Sequence, residues 1–249
     1  MSLIKKILIT VSILVGIILV LSGLYLYKIM SEKSIMHPSE SKEIVEGVYA
    51  IKDGTFVNLF LIKSGSNYVA IDAAENAQNI KQELSKLDID PEKVTAILLT
   101  HTDSDHVGAV KLFKNAKVYI SSFEEQMING KTPRAMLIFN NKLDSAYEII
   151  EDNQTFDISG LKIKGIHTPG HTPGSMSYVI NDKYLFTGDT LSLKGQKVEL
   201  FNDFFNMDGV IEEKSIRKLA NLSGIKYIFT AHYGYTDNFD KAMESWKEK

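Results

Sequence analysis

An α/β architecture, with two sheets packed face to face and helices on both outer surfaces, is what this sequence predicts, preceded by a membrane-spanning helix. Three observations predict it. An uncharged apolar run opens the chain. Two blocks of short β-rich segments follow, each succeeded by helical spacing. Four turn-rich motifs carrying histidine or aspartate stand at the ends of predicted strands, where one edge of a sandwich would gather them.

Ile7 to Tyr27 carries no charge over 21 residues, about 30 Å of helix at 1.5 Å per residue, the thickness of a bilayer's hydrocarbon core. Its exit, Leu21 to Tyr27, is a poor cleavage site and ends in interfacial tyrosines, which favours an anchor over a cleaved signal. Lys5 and Lys6 place the N-terminus (1–6) in the cytoplasm and the body outside, on the cell membrane. The expected organisation is a membrane helix over 7–27, a polar linker over 28–43 and a globular domain over 44–249. The linker contains His37, expected in solvent.

The body opens with strands over Gly47–Ile51, Asn58–Lys63 and Tyr68–Asp72, punctuated by Asp53-Gly54 and Ser64-Gly65-Ser66, an antiparallel meander. Ala77–Leu87 has helical spacing, and Val94–Leu99 is a continuous apolar run typical of a buried strand. A short helix over Val107–Phe113, a strand over Lys117–Ile120 and a helical segment to Leu143 are expected next. Strands over Thr155–Ile158, Leu161–His167, Ser175–Ile180 and Tyr184–Thr187 form the second block. A helix over Asp208–Asn221, a strand over Tyr227–Thr230 and a closing helix to Trp246 complete it.

Composition narrows the chemistry. A net charge of −3 provides no global field for nucleic acid, so no nucleic-acid partner is expected. Cysteine is absent, so a metal must be held by imidazole and carboxylate. Such ligands are concentrated in His101-Thr-Asp103-Ser-Asp105-His106, directly after a buried strand. Others stand in His167-Thr-Pro-Gly-His171-Thr-Pro-Gly174, in Phe186-Thr-Gly-Asp189-Thr190 and in Thr230-Ala-His232-Tyr233-Gly234. His167 is expected to bond near the site without binding metal. Asp72 either supports a ligand or caps a helix. Tyr233, Tyr235 and the loop Phe201–Phe205 are candidates for the pocket wall.

These motifs resemble the metallo-β-lactamase superfamily, whose pattern is His-x-His-x-Asp-His, then a lone His, an Asp and a final His. The likeness runs from about Ile44 to Trp246 and looks closest to the glyoxalase II and lactonase-like branches. It implies the αββα sandwich and two divalent ions, zinc by family. By the resemblance, His101, Asp103 and His171 hold one ion; Asp105, His106 and His232 hold the other; Asp189 bridges. A hydroxide between the ions would attack an ester, thioester, lactone or amide in a small-molecule substrate, with Asp105 as the catalytic proton carrier.

Asp103 departs from the pattern, which has His there. Two divalent ions, three carboxylates and a hydroxide give a neutral core, one positive charge less than the family's arrangement. That implies a weaker Lewis acid and admits manganese or iron. Phosphodiester cleavage and a non-catalytic, metal-stabilised extracellular binding module are the alternatives. Oligomeric state and physiological substrate are left open by the sequence.

Overall fold

The computed structural model describes residues 2–54, 56–143 and 145–247. The expected N-terminal and globular ranges therefore end on residues, Met1 and Lys249, that lie outside the described ones. The chain forms two compact units, divided after Met36.

The first unit is α1 (Leu3–Ser34), 32 residues with no buried side chain. Ser2 caps it, its hydroxyl accepting from the Lys5 amide at 3.4 Å. The helix continues past the apolar run through Lys28–Ser34, a stretch expected as linker. An i,i+4 pair between Lys28 and Glu32 supports this turn, and no proline intervenes before Pro38.

The second unit holds two sheets. The first has seven strands in sequential order: β1 (Lys42–Val45), β2 (Val48–Asp53), β3 (Val57–Ser64), β4 (Asn67–Ile71), β5 (Val94–Leu98), β6 (Lys117–Ser121) and β7 (Tyr147–Ile150). β1 to β4 are the expected antiparallel meander; β4 to β7 run parallel. The second sheet combines β8 (Thr155–Ile158), β9 (Leu161–His167), β10 (Met176–Ile180), β11 (Tyr184–Phe186), β14 (Tyr227–Phe229) and β15 (Tyr235–Thr236), in the order β15-β14-β11-β10-β9-β8. β12 (Ser192–Lys194) and β13 (Lys197–Glu199) form a separate hairpin.

Alternation along β3 divides two cores. Val57, Leu59 and Leu61 face α2 (Ala77–Lys86) with Ile80, Leu84 and Ile97. Phe60 and Ile62 face the second sheet, with Leu98, Tyr178, Phe186 and Phe229. Strands β2 to β6 feed both layers, which is why several of the predicted strands of this sheet carry near-continuous apolar runs. α5 (Gly209–Ala220) buries Ile216, Leu219 and Ala220, and its N-cap Asp208 accepts from the Ile211 amide at 2.9 Å.

Three expected elements are corrected. The helix over Val107–Phe113 is instead α3 (Ser104–Val107), followed by a 3-10 turn at Val110–Leu112. Its early start lets Gly108 pack on the Glu75 backbone, where a Cβ would lie 2.1 Å from the carbonyl oxygen. Between β6 and Leu143 only α4 (Glu125–Ile128) is helical. Gly130, at φ 77°, and Pro133 stop it, and a turn over Ala135–Ile138 follows with Met136 at φ 45°. The closing helix is only α6 (Phe239–Ala242), continued by turns toward Trp246.

Candidate metal centre

The four motifs meet at one edge of the sandwich. β5 ends at Leu98, and the chain is pinned there by Asp72, at the end of β4. Asp72 Oδ1 accepts from the Thr100 amide at 2.7 Å, and Thr100 Oγ1 donates to Asp72 Oδ2 at 2.8 Å. His101 follows, and α3 then presents Asp105 and His106 from a single turn. His171 sits in the Pro-Gly loop between β9 and β10, whose Gly170 carbonyl accepts from the Met207 and Asp208 amides before α5. Asp189 follows β11, and His232 follows β14.

All four histidines are buried and all present Nε2 inward. His106 Nδ1 donates to Asp72 Oδ2 at 2.8 Å, and His171 Nδ1 to Asn206 Oδ1 at 3.2 Å. His232 Nδ1 donates to the Phe56 carbonyl. His101 Nδ1 lies 3.1 Å from Thr100 Oγ1, whose own proton goes to Asp72, so the imidazole is the donor there too. With each Nδ1 engaged, each Nε2 is left with the cluster.

The Nε2 atoms surround Asp189. His232 and His171 lie 3.2 and 3.4 Å from its Oδ2, and His106 lies 3.5 Å from its Oδ1. His171 and His101 reach Asp103 Oδ2 at 3.3 and 3.6 Å. His232 and His106 reach Asp105 Oδ2 at 3.6 and 4.0 Å. Two ligand atoms each about 2.1 Å from one tetrahedral ion stand roughly 3.4 Å apart, so these spacings suit shared cations. The atoms sort into three triads: His101, Asp103, His171; His101, His106, Asp189; and Asp105, His106, His232. Nε2 of His101 and of His106, and Oδ1 of Asp189, are buried without a hydrogen-bond partner. Orphaned buried atoms of this kind are costly unless an ion satisfies them.

Electrostatics agree with the geometry. Burial raises the Asp189 carboxyl, but the charges of His232, His106 and His171 overcome it and hold the group well below the usual carboxylate range. Burial opposes a proton on His106, yet Asp189, Asp72 and Asp105 push that imidazole well upward. The donors thus form a set that binds cations, whether protons or metal ions.

Several residues at the site carried no signal in the sequence. Glu124 is buried; its Oε1 accepts from the Thr102 amide at 2.8 Å and its Oε2 from Thr172 Oγ1 at 2.8 Å, tying the His101 loop to the His171 loop. Asn206 Nδ2 donates to Glu212 Oε2 at 2.7 Å. Arg134 Nε donates to both Asp103 oxygens, at 2.9 and 2.8 Å, and Asn140 donates to Asp103 Oδ1 at 2.9 Å. Arg134 adds a positive charge that the count based on Asp103 omits.

The remaining expectations divide. Asp72 supports His106 directly instead of capping α2, whose cap is Asn76. His167 bonds outside the cluster; its Nε2 meets the Pro173 carbonyl at 2.9 Å and its ring stacks on Phe123. His37 is exposed. Phe201 packs its ring against those of His171 and His232, at 5.0 and 5.7 Å between centroids, and so walls the cluster. Tyr233 lies edge-on to Phe201, while Tyr235 packs on Phe229 in the core.

A family model described as "Metallo-beta-lactamase superfamily" matches residues 53–232. Among curated proteins, the probable polyketide biosynthesis zinc-dependent hydrolase BaeB of Bacillus velezensis is 33% identical over 136 residues, 53% of this chain and 53% of that protein. A hydroxyacylglutathione hydrolase of Glaesserella parasuis is 30% identical over 53% of this chain and 49% of its own length. An atrochrysone carboxyl ACP thioesterase of Aspergillus chevalieri is 27% identical over 63% and 47%. The chain thus spans about half the length of these curated relatives. Among solved structures, a metallo-β-lactamase family protein of Thermus thermophilus shares the fold at a TM-score of 0.61 and 19% identity, over 82% of this chain and 79% of that one. So does a B3 metallo-β-lactamase with an active-site glutamic acid, at a TM-score of 0.62 and 19% identity, over 88% and 91%.

Proposed function

The chain belongs to the metallo-β-lactamase superfamily, and from that premise we propose that it hydrolyses an ester-like bond of a small molecule, a thioester foremost. The observation that supports this most is the convergence of four imidazole Nε2 atoms on Asp189, each fixed by a bonded Nδ1. His101, Asp103 and His171 would hold one divalent ion and Asp105, His106 and His232 a second, with Asp189 between them. Such ions supply Lewis acidity and lower the pKa of a coordinated water from about 15.7 toward 7. Zinc is the first expectation; Asp103 also suits manganese or iron.

The protein's own groups supply the rest. Asp105 is the most open of the three carboxylates in the cluster, about one-fifth exposed. It can orient the attacking water and hand its proton to the leaving group. Phe201 closes the wall behind His171 and His232, which limits water around the reacting carbonyl. The thioester preference follows the hydroxyacylglutathione hydrolase and ACP thioesterase among the relatives.

The test is a panel of an acyl thioester, an aryl ester, a lactone, a β-lactam and a bis-phosphodiester, with zinc, manganese and iron in turn. Thioester turnover should be lost to chelator and regained with metal. Asp105→Asn should lower kcat by about 10²-fold or more. A fully loaded chain that cleaves only the phosphodiester, or nothing, would exclude this reading.

A further inference from the structure

A guanidinium already occupies part of the proposed metal centre. Arg134 comes from the irregular segment after α4, and its Nε spans both Asp103 oxygens. Its Nη2 donates to the Phe205 carbonyl at 2.6 Å and lies 3.3 Å from His171 Nε2. Because His171 Nδ1 donates to Asn206, that Nε2 is the acceptor. Arg134 therefore uses the very lone pair that a metal ion would take. Asn140 completes the arrangement on Asp103 Oδ1.

The other triad differs. Among the described residues, no lysine or arginine pairs with Asp105, and His106 Nε2 has no hydrogen bond. His101 Nε2 is likewise free, leaving two of the three ligands on the Asp103 side engaged by Arg134.

We propose that Arg134 is a built-in cation of the Asp103 side, making the two metal positions unequal: one ion fills the Asp105, His106, His232 position, and a second enters beside Asp103 only when Arg134 leaves His171. This deepens the reading of the cluster as a metal centre and rests on it. Two effects act in the same direction. The guanidinium competes for the His171 lone pair, and it repels an incoming divalent ion at close range in a water-poor site. The Phe205 carbonyl offers Nη2 a place to remain while Nε keeps the outer edge of Asp103. With Arg134 retained, the fully loaded core regains the single positive charge that Asp103 removes.

The test is cobalt(II) titration of the chelator-stripped full-length chain in detergent, by calorimetry and visible absorption. The first equivalent should bind at least about tenfold more tightly than the second. Arg134→Gln should tighten the second equivalent by about tenfold and leave the first within about twofold, whereas Arg134→Lys should keep the inequality. Two equivalents of equal affinity in the unaltered chain would overturn the inference, and this comparison needs no variant to fold. So would weakening of the second equivalent in Arg134→Gln, which would make the guanidinium a support for Asp103. Binding of no cobalt at all would remove the metal-centre reading itself, and this inference with it.

Discussion

Each histidine of the cluster is aimed by a neighbour, and one such chain runs His171–Asn206–Glu212. Asn206 accepts from the imidazole and donates to Glu212 Oε2, so the carboxyl group fixes the amide and the amide fixes the ring. Glu212 is fully buried, and its Oε1 has no partner. Burial raises its pKa to about 8, against opposing hydrogen bonds from the Phe201 backbone and Asn206 and with a smaller upward push from Asp189. The folded value lies above the unfolded one. Its stabilising contribution is therefore complete below about pH 4.5 and lost as pH rises through about 8, where the folded chain must give up a proton it holds in preference. In urea denaturation of the chelator-stripped chain, Glu212→Gln should fall in stability less steeply than the parent between pH 5 and 9. The difference is bounded at roughly 5 kcal/mol by 1.36 kcal/mol per pH unit. Parallel pH profiles would refute a buried, protonated Glu212. None of this was readable in the sequence. His101, Asp105, His106, His171, Asp189 and His232 were legible because such residues rarely crowd short turn-rich motifs. Arg134, Glu124 and Glu212 reach the cluster only through folding, from ordinary-looking positions 31, 22 and 41 residues from Asp103, Thr102 and His171.

The strands place the cluster, and at one point they leave no room for a side chain. Gly188, between β11 and Asp189, has φ 52°, and a Cβ there would sit 2.3 Å from Thr100 Oγ1. That hydroxyl is bonded to Asp72, which in turn holds His106. Gly188→Ala should thus disturb the Asp189 carboxylate and the loop of the first motif together. The expected loss is about 2–4 kcal/mol of stability from overpacking plus a left-handed conformation. Metal affinity should fall with it, read by denaturant midpoint and cobalt titration. A variant equal to the parent in both would show that the loop can shift at no cost. At this scale the sequence was informative wherever burial wrote a pattern. β3, β5 and β10 are nearly continuous apolar runs, β9 alternates Leu161 and Ile163 with lysines, and all four stand within a residue of expectation. The edge strands β1 and β7 are half exposed, and the β12–β13 hairpin has three residues per strand, so neither wrote one. The segment after α4, to Leu143, was expected as helix. Its order comes instead from polar contacts such as those of Arg134 and Asn140.

At the scale of the whole molecule, α1 is the feature that bears on cellular location. Its 32 residues measure about 48 Å, longer than the roughly 30 Å of a hydrocarbon core. Leu8, Ile13, Ile18 and Leu24 are all more than half exposed, a larger apolar surface than soluble proteins usually leave uncovered. The helix is long and apolar enough to cross a membrane. Within it, 7–27 matches the core, and Lys28–Ser34 would project beyond as a charged spacer before the globular unit. Lys5 and Lys6 on the short side argue for a cytoplasmic N-terminus; Lys28 and Lys33 on the other argue against it, with Glu32 offsetting one of them. The expected outcome is a chain that stays in the membrane fraction through alkaline carbonate, keeps its N-terminus by mass spectrometry, and loses its globular part to protease added outside intact cells. An N-terminus beginning near Gly23 would identify a cleaved signal. A globular part digested only after the cells are opened would place it in the cytoplasm, restricting its substrates to those found there.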